Sequence, residues 1–463
     1  MTRPLRVAII GSGPAGIYAG NILKNQVAAR GGEVHIDLFE TLPAPYGLIR
    51  YGVAPDHPRI KGIVNSLHEM LDAGDIRLIG NVEVGRDISL DDLYERYDAV
   101  IAATGASRDA ALNIPGVDLE GSYGAADFVS WFDGHPDVPR TWPLEAREIA
   151  VIGNGNVALD VARMLAKHVK DLMSTDIPAN VAEGLSASPV TDVHVFGRRG
   201  PADVKFTPIE LRELGEVPDV DTIVYDEDFA YEDELAASGT TPDRTNQVKV
   251  MVRTMQGWRT HETGKASRRL HLHFYHAPVA IEGDGKVEKI VFEKTEVTAD
   301  GSVQGTGEFV EYPVQAVYRA VGYYGSPLPG APFDERRGVI RNQGGRVFDG
   351  DNQVPGLYAT GWIKRGPVGL IGHTKGDALE TIENLIADLD AGALNSPTIT
   401  DEDEIFEFLA GRGVEYTTWN GWLALDAHER ALGASDAFPR ERVKVVPREE
   451  QVGVSRAGAL SSK

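Results

Sequence analysis

The chain has 463 residues, more than one compact domain usually holds, so the sequence predicts two or three domains. Its 69 acidic and 46 basic side chains give a formal net charge of −23, which argues against binding to nucleic acid or to an anionic membrane surface. It contains no cysteine, which excludes disulfides, thiol catalysis and cysteine-ligated iron–sulfur centres within the chain, and no metal site is predicted.

A short apolar run near the start of the chain predicts the first core strand. Residues 7–10, Val-Ala-Ile-Ile, are too few for the core of a signal peptide, and they lead into glycines rather than a cleavage site. The sequence has no run of 18 apolar residues, so no membrane span is predicted. We therefore expect a cytoplasmic protein.

The first glycine motif follows this strand as Gly11-Ser-Gly-Pro-Ala-Gly16. In a dinucleotide-binding turn, Gly11 allows the tight turn, Gly13 admits the pyrophosphate and Gly16 lets the helix pack against the strand. The pyrophosphate lies at the helix N-terminus, where free N–H groups and the helix dipole favour anions. The next predicted strand ends at Glu40, an acid suited to bind an adenosine ribose.

A second glycine motif, Gly153-Asn-Gly-Asn-Val-Ala158, follows another predicted strand and has alanine in the third position, which the fingerprint allows. The strand after it leads into Arg198 and Arg199 instead of an acid. An acid there would repel a 2′-phosphate, whereas arginine donates fixed, bidentate hydrogen bonds to it. The second nucleotide is therefore expected to be NADP(H), and the first FAD, with hydride passing between them.

Strand-like runs that end in glycine recur at residues 99–105, 316–322 and 356–361, and they alternate with helical patterns. This alternation predicts an α/β fold with two Rossmann-like dinucleotide-binding domains. Because the second motif lies in the middle of the chain, the NADP domain is expected to be inserted into the FAD domain. The expected FAD-binding domain is residues 1–106 and 324–463, and the expected NADP-binding domain is residues 107–323. The second part of the FAD-binding domain is expected to carry a C-terminal extension with some helix and a loose tail that ends at Lys463.

The missing cysteines determine where the electrons can go. Many flavoproteins of this double layout reduce disulfides through a cysteine pair, which this chain lacks. The electrons must therefore leave for an external acceptor, and the residues alone leave open a separate redox protein, a small acceptor or oxygen. A non-catalytic nucleotide sensor or a subunit of a larger complex is a further alternative.

Additional motifs extend the pattern from about Arg6 to about Leu389. They are Pro45-Tyr-Gly-Leu-Ile-Arg-Tyr-Gly-Val-Ala-Pro-Asp-His-Pro58, Gly80-Asn-Val-Glu-Val-Gly-Arg-Asp87, Gly155-Asn-Val-Ala-Leu-Asp-Val-Ala-Arg163, Gly197-Arg-Arg-Gly-Pro201, Phe206-Thr-Pro-Ile-Glu-Leu-Arg-Glu213 and Gly361-Trp-Ile-Lys-Arg-Gly-Pro-Val-Gly369. With the first glycine motif, they make the sequence resemble the adrenodoxin-reductase-type NADPH–ferredoxin reductases.

The resemblance implies roles for individual positions. FAD contacts are implied for Ala15, Glu40, Leu48, Val84, Trp362 and the turn of Gly369, Leu370 and Ile371, which would also lie beside the nicotinamide. NADPH contacts are implied for Asn154, Gly155, Asn156, Val157, Arg198, Arg199 and Glu210. His57 and Glu213 match a pair near the flavin that is suggested to assist proton and electron transfer.

The function that the resemblance implies is hydride transfer from NADPH to FAD, followed by single-electron transfer to a ferredoxin-type iron–sulfur protein. An NADPH-dependent quinone or diaphorase-type reductase is the alternative. A docking patch for an acidic ferredoxin is a hypothesis for one basic cluster, which a solvated hairpin would explain equally well: Arg253, Arg259, Lys265, Arg268 and Arg269.

Overall fold

The computed structural model describes residues 3–239, 243–298, 302–368 and 371–461, and the chain divides into two compact units. The first unit comprises Met1–Arg108, Asp133–Asp137 and Tyr323–Lys463, and the second comprises Asp109–Phe132 and Val138–Gly322. Both units have the parallel α/β organisation that the sequence predicts. Among the described residues, no helix is long and apolar enough to cross a membrane.

The first unit is organised around an eight-stranded sheet whose five central strands are parallel. Strand Leu5–Ile10 is buried on both faces, with Val7 and Ile9 in one apolar cluster and Ala8 and Ile10 in the other. A continuous apolar run is the expected sequence of such a strand. Across the sheet the strands are Asn342–Gln343, Arg346–Asp349, Asn352–Ala359, Ala99–Ala102, Leu5–Ile10, Val34–Glu40, Ile76–Gly80 and Thr417–Thr418.

The helices of the first unit cover both faces of this sheet. The long helix Ile371–Asp390 packs against Pro14–Ala29, the helix that follows the first glycine turn. A small hairpin pairs Phe333–Asp334 with Val339–Ile340. The remaining helices are Leu48–Tyr51, Pro58–Lys61, Val64–Asp72, Leu90–Tyr94, Trp362–Arg365, Glu404–Gly411, Trp419–Ser435 and Arg448–Ser461.

The second unit contains a six-stranded sheet with every pair of strands parallel, in the order Ser122–Gly124, Ala316–Arg319, Glu148–Ile152, Asp192–Phe196, Arg268–His273 and Val220–Val224. An antiparallel sheet packs beside it, formed by His276–Glu282, Lys289–Val297 and Val303–Pro313. Its α-helices are Ala125–Phe132, Asn156–Ala166, Ala179–Ala187, Pro208–Gly215, Ala230–Ala237 and Asn246–Trp258. Its described residues also form short 3₁₀ helices at Val169–Asp171, Pro201–Asp203 and Asp226–Phe229. Two-residue strands, Arg108–Asp109 and Tyr323–Tyr324, lie where the chain passes from one unit to the other.

The chain beyond residue 390 is an integral part of the first unit. The helix expected in this extension is confirmed, whereas the expectation of a loose tail is wrong as far as Ser461, where the last helix ends. Strand Thr417–Thr418 adds to the edge of the sheet, antiparallel to Ile76–Gly80. Helices Trp419–Ser435 and Arg448–Ser461 then pack against each other. Apolar residues of this region, such as Trp422 and Leu425, belong to the same core cluster as the first strand.

A buried ion pair joins this C-terminal region to the loop after the second strand. The Arg50 guanidinium donates to both carboxylate oxygens of Glu429, at 2.9 and 2.5 Å, and the two side chains are 5% and 0% exposed. Glu429 also accepts from the backbone N–H of Val445 at 2.9 Å, and Lys444 donates to the carbonyl of Arg50 at 2.9 Å. The Arg50 guanidinium lies 5.2 Å from the Trp422 ring. Helix Leu48–Tyr51 is therefore fixed by two C-terminal segments, the helix that carries Glu429 and the stretch that carries Lys444.

Replacing Glu429 by glutamine is expected to lower the free energy of unfolding by about 3–5 kcal/mol, because it leaves the buried Arg50 charge without its counter-ion. The measurement is urea unfolding followed by tryptophan fluorescence. The matched control is Glu415→Gln, since Glu415 is 71% exposed in its ion pair with Arg456 and should change stability by less than about 0.5 kcal/mol. Equal stabilities for the two variants would contradict the prediction.

Candidate functional site

The first glycine turn requires glycine at both of its ends. Gly11 has φ of 106°, and a Cβ atom there would lie 2.5 Å from the carbonyl oxygen of Ala103. A Cβ atom on Gly16 would lie 2.0 Å from the carbonyl oxygen of Gly11. Neither position can hold a side chain without moving the backbone. Helix Pro14–Ala29 therefore starts directly against the end of strand Leu5–Ile10, as the motif predicts.

The start of this helix is suited to an anionic ligand. Gly13 is the N-cap residue, no side chain caps the helix, and Pro14 occupies the first turn. A Cβ atom on Gly13 would meet no heavy atom within 4 Å, so open space lies beside its backbone. The first N–H groups of a helix have no partner within the helix itself, and they bind phosphate where the backbone is accessible. The turn thus fits the pyrophosphate of a dinucleotide.

Glu40 is held at the end of its strand by three donors. One carboxylate oxygen accepts from the backbone N–H and the hydroxyl of Ser12, at 2.9 and 2.7 Å, and the other accepts from the N–H of Leu42 at 3.0 Å. A carboxylate has about four acceptor positions, so capacity remains for a ribose hydroxyl. Ser12 was not singled out from the sequence, although its place inside the glycine motif could have indicated it.

A strained loop packs against the same turn. Tyr46 has φ of 83° and Gly47 has φ of 51°, a backbone region that non-glycine residues rarely occupy. The Tyr46 N–H donates to the carbonyl of Ser12 at 3.0 Å, and a Cβ atom on Gly47 would lie 3.2 Å from the Cα atom of Gly13. Strain of this kind persists only where the surroundings hold it. Leu48, half-buried, follows directly and begins the next helix.

Trp362 follows a strand end at the same edge of the sheet. Gly361 has φ of 73°, its N–H donates to Asp377 at 2.5 Å, and a Cβ atom there would lie 2.6 Å from the Cβ atom of Ala15. Ala15 and the backbone before Trp362 are therefore neighbours, with the Trp362 side chain half-buried. Lys364 is buried and ion-paired with Asp377 at 3.0 Å.

The remaining FAD contacts implied by the resemblance are Val84 and the turn of residues 369–371. Val84 is buried and forms an isolated bridge with Ile88. Gly369 and Leu370 lie outside the described residues, and Ile371 is the first residue of helix Ile371–Asp390. The contribution of this turn stays a prediction.

The second glycine turn repeats the geometry in the second unit. Gly153 has φ of 139°, and a Cβ atom there would lie 2.2 Å from the carbonyl oxygen of Ala320. Gly155 is the N-cap of helix Asn156–Ala166, without a side-chain cap and with open space at its Cβ position. Asn154 and Asn156 hold the neighbouring segment: the Asn154 carbonyl accepts from the N–H of residue 205 at 2.9 Å, and the Asn156 side chain accepts from the N–H of residue 207 at 3.0 Å. Val157 lies in the first turn of the helix.

Arg198 and Arg199 are presented on a turn whose backbone is fixed. The Arg198 carbonyl accepts from the hydroxyl of Thr295 at 2.8 Å, and the Arg199 carbonyl accepts from the N–H of Tyr275 at 3.2 Å. Arg198 is exposed and Arg199 is half-buried. Within the described ranges, neither guanidinium group has a hydrogen bond or an ion pair. Both are available to bind a phosphate group.

The acidic candidates of this unit lie on helix Pro208–Gly215, which Thr207 caps through the N–H of Glu210. Glu210 is buried, and its carboxylate lies 3.5 Å from a guanidinium nitrogen of Arg163. Glu213 follows three residues later, half-buried, and therefore shares a face of the helix with Glu210. The sequence did not single out Arg163, although it lies on the helix of the second glycine motif.

His57 lies in the first unit, buried at the N-terminus of helix Pro58–Lys61. The backbone N–H of His57 donates to the carbonyl of Ala54 at 3.0 Å. Because His57 and Glu213 belong to different units, their pairing stays a prediction.

The basic cluster suggested for docking is largely neutralised by neighbouring acids. Arg253 is exposed on helix Asn246–Trp258, and Arg268 donates to backbone carbonyls. The other three form ion pairs: Arg259 with Asp226 and Asp233, Arg269 with Asp192, and Lys265 with Glu262. The cluster is therefore not a uniform basic surface, and its role in docking stays a prediction.

The fold and its two glycine turns place the chain among pyridine-nucleotide-dependent oxidoreductases. A family model described as pyridine nucleotide-disulphide oxidoreductase matches residues 5–195, which include both turns. NADPH-ferredoxin reductase FprA of Mycobacterium tuberculosis is 40% identical over 453 residues, covering 95% of this chain and 97% of the relative. NADPH:adrenodoxin oxidoreductase of Homo sapiens is 37% identical over 455 residues, covering 95% and 90%.

A solved structure, Mycobacterium tuberculosis FprA in complex with NADPH, superimposes with a TM-score of 0.89 at 39% sequence identity, covering 98% of this chain and all of the other. The chain belongs to the family of NADPH–ferredoxin reductases and NADPH:adrenodoxin oxidoreductases. This confirms the resemblance drawn from the motifs and the predicted fold class.

The two glycine turns can be tested against each other. Gly13→Val is expected to lower the FAD content of the purified protein at least about tenfold, because the side chain would fill the open space at the helix start. The backbone at Gly13 is extended and accepts valine, so the variant should fold. Gly155→Val is the matched control and should retain FAD but lose affinity for NADPH. The measurement is flavin absorbance per protein. Full FAD content in Gly13→Val would contradict this assignment.

Proposed function

We propose that this protein is an FAD-dependent NADPH:ferredoxin oxidoreductase, which takes a hydride from NADPH and passes single electrons to a ferredoxin-type iron–sulfur protein. Support comes from relatives that are named for ferredoxin and adrenodoxin and that match over nearly the whole chain. The single observation that carries the proposal is the pair of uncapped glycine turns, one beside Glu40 and the other in the unit that carries Arg198 and Arg199.

The proposal assigns one nucleotide to each unit. Residues 1–106 and 324–463 form the FAD-binding domain, and residues 107–323 form the NADP-binding domain. Bound FAD supplies the conversion between a two-electron donor and a one-electron acceptor. In the FAD-binding domain, Gly13 admits the pyrophosphate, Glu40 binds the ribose, and Leu48, Val84 and Trp362 line the flavin.

The NADP-binding domain selects its nucleotide by charge. Arg198 and Arg199 bind the 2′-phosphate, and Asn154, Gly155, Asn156 and Val157 form the turn that receives the pyrophosphate. Glu210 contacts the nucleotide from the neighbouring helix while Arg163 holds its carboxylate. The proposal gives His57 and Glu213 the assisting role in proton and electron transfer, and places the protein in the cytoplasm.

Anaerobic titration is the first test of this function. NADPH is expected to bleach the flavin absorbance of the purified protein at about one equivalent, and NADH is expected to act only at much higher concentration, because it lacks the 2′-phosphate that the arginines bind. Reduction of an added ferredoxin then distinguishes the acceptors. Turnover with a quinone but with no ferredoxin would favour the quinone reductase, and a flavin that neither nucleotide bleaches would contradict hydride transfer altogether.

Replacing both arginines should separate the two nicotinamide nucleotides. Arg198→Ala/Arg199→Ala is expected to raise KM for NADPH by about 10–100-fold, the value of one or two charge-assisted hydrogen bonds, and to leave KM for NADH within about twofold. Arg253→Ala removes an exposed arginine from another helix and is the matched control. An equal rise in KM for both nucleotides would contradict recognition of the 2′-phosphate.

A further inference from the structure

A single buried carboxylate joins two segments that the resemblance assigns to the flavin. Asp377 lies in helix Ile371–Asp390, which begins at the last residue of the turn of residues 369–371. Its side chain is 9% exposed, and one of its oxygens accepts from the backbone N–H of Gly361 at 2.5 Å. Trp362 is the next residue along the chain. The carboxylate therefore ties the strand end before Trp362 to this helix.

No side chain of its own holds the turn before Trp362. Gly361 has φ of 73° and ψ of −150°, a conformation that is essentially confined to glycine. It is the N-cap of helix Trp362–Arg365, and among the described residues no side chain caps this helix. Glycine loses more backbone freedom on ordering than any other residue, so such a turn needs a contact from elsewhere to stay ordered. The hydrogen bond to Asp377 is that contact.

Two basic side chains face the same carboxylate. The Lys364 side chain is 5% exposed, and its ammonium group lies 3.0 Å from the oxygen of Asp377 that does not bind the turn. The ammonium group also donates to Glu380 at 2.6 Å, an acid that is 59% exposed. The Nε atom of Arg365 lies 3.7 Å from the other oxygen of Asp377, and its Nε and Nη2 atoms are buried without a hydrogen-bond partner in the described structure. The two oxygens therefore have separate tasks, since one binds the turn and the other binds Lys364.

We propose that Asp377 is the positioning residue for Trp362 in the FAD site, an inference that rests on the proposed FAD-dependent function. The carboxylate fixes Gly361, whose conformation sets the direction in which the Trp362 side chain leaves the backbone. Lys364 holds the carboxylate from the other side. Side chains in a binding site contact a ligand in one geometry only when neighbouring packing and hydrogen bonds lock them, and Asp377 supplies this support.

The first test compares two carboxylates that both bind Lys364. Asp377→Asn removes the charge that faces Lys364 and the turn, so FAD should leave the purified holoprotein about 10–100-fold faster, the value of a hydrogen bond to a charged group. Glu380→Gln is the matched control, because it alters the exposed acid, which has no described contact with the turn, and it should change the rate by less than about twofold. The measurement is the rise in fluorescence of free FAD after dilution. Equal rates in wild type and Asp377→Asn would overturn the proposal.

A double-mutant cycle shows whether Asp377 acts through Trp362. Trp362→Ala alone is expected to speed FAD release. Adding Asp377→Asn should then change the rate by less than about twofold, because the effects of residues that act as one unit do not add. An undiminished effect of Asp377→Asn in the Trp362→Ala background would overturn the proposal. Wild-type protein that binds no FAD would instead contradict the proposed function, so the two failures are distinguishable.

A second variant separates positioning from stabilisation of the fold. Lys364→Met/Asp377→Leu replaces both members of the ion pair and should fold, since apolar replacement of a buried ion pair is often neutral for stability. It should still release FAD at least about tenfold faster, because Gly361 loses its acceptor, and it should alter the visible circular dichroism of the FAD that stays bound. A lower free energy of unfolding with unchanged FAD release and unchanged dichroism would show a structural role alone and overturn the proposal.

Discussion

In the first unit, the carbonyl oxygen of Gly11 occupies the space where a side chain on Gly16 would begin, and in the second unit the carbonyl of Ala320 excludes a side chain from Gly153 in the same manner. These close backbone approaches position the start of each helix at the end of its strand. The helix N–H groups then face open space beside Gly13 and Gly155, which is where a pyrophosphate can be bound. Glu40 and Trp362 in the first unit, and the arginine turn in the second, follow strands that end at the same edge of their sheet as these helix starts.

The C-terminal region contributes to the first of these sites without supplying a recognisable motif. Its buried Glu429 neutralises Arg50, and its Trp422 packs edge-on against Tyr46, with ring centroids 5.6 Å apart. Tyr46 has an unfavourable backbone conformation beside the glycine turn, and such a conformation needs support from its surroundings. The last helices thus stabilise the loop that packs against the first glycine turn, and they do so by burying charged groups.

The parts of the structure that could be predicted from the sequence are those with a local steric cause. The glycine turns, the strands before them and the arginines after the second strand all have short-range patterns, so their places in the fold could be stated in advance. The pair of Arg50 and Glu429 could not, because the two residues are 379 positions apart and each resembles an ordinary surface charge in its own segment. The stacked rings of His194 and His271 in the second unit are similar: each histidine alternates with apolar residues as in any half-buried strand, and only the register between the two strands brings them together.

The short segment Asp133–Asp137 belongs to the first unit, although the chain on both sides of it belongs to the second. Asp133 is bound there by Lys444 and Lys61, at 3.3 and 3.4 Å. The backbone therefore passes between the units four times instead of twice. A chimaera that exchanges the nucleotide-binding unit for a relative's would have to keep these host residues in the middle of the transplanted sequence. The coding sequences of the two units are therefore interleaved. A recombination that exchanged everything between residues 109 and 322 would replace Asp133 and remove its contacts with Lys444 and Lys61 of the first unit.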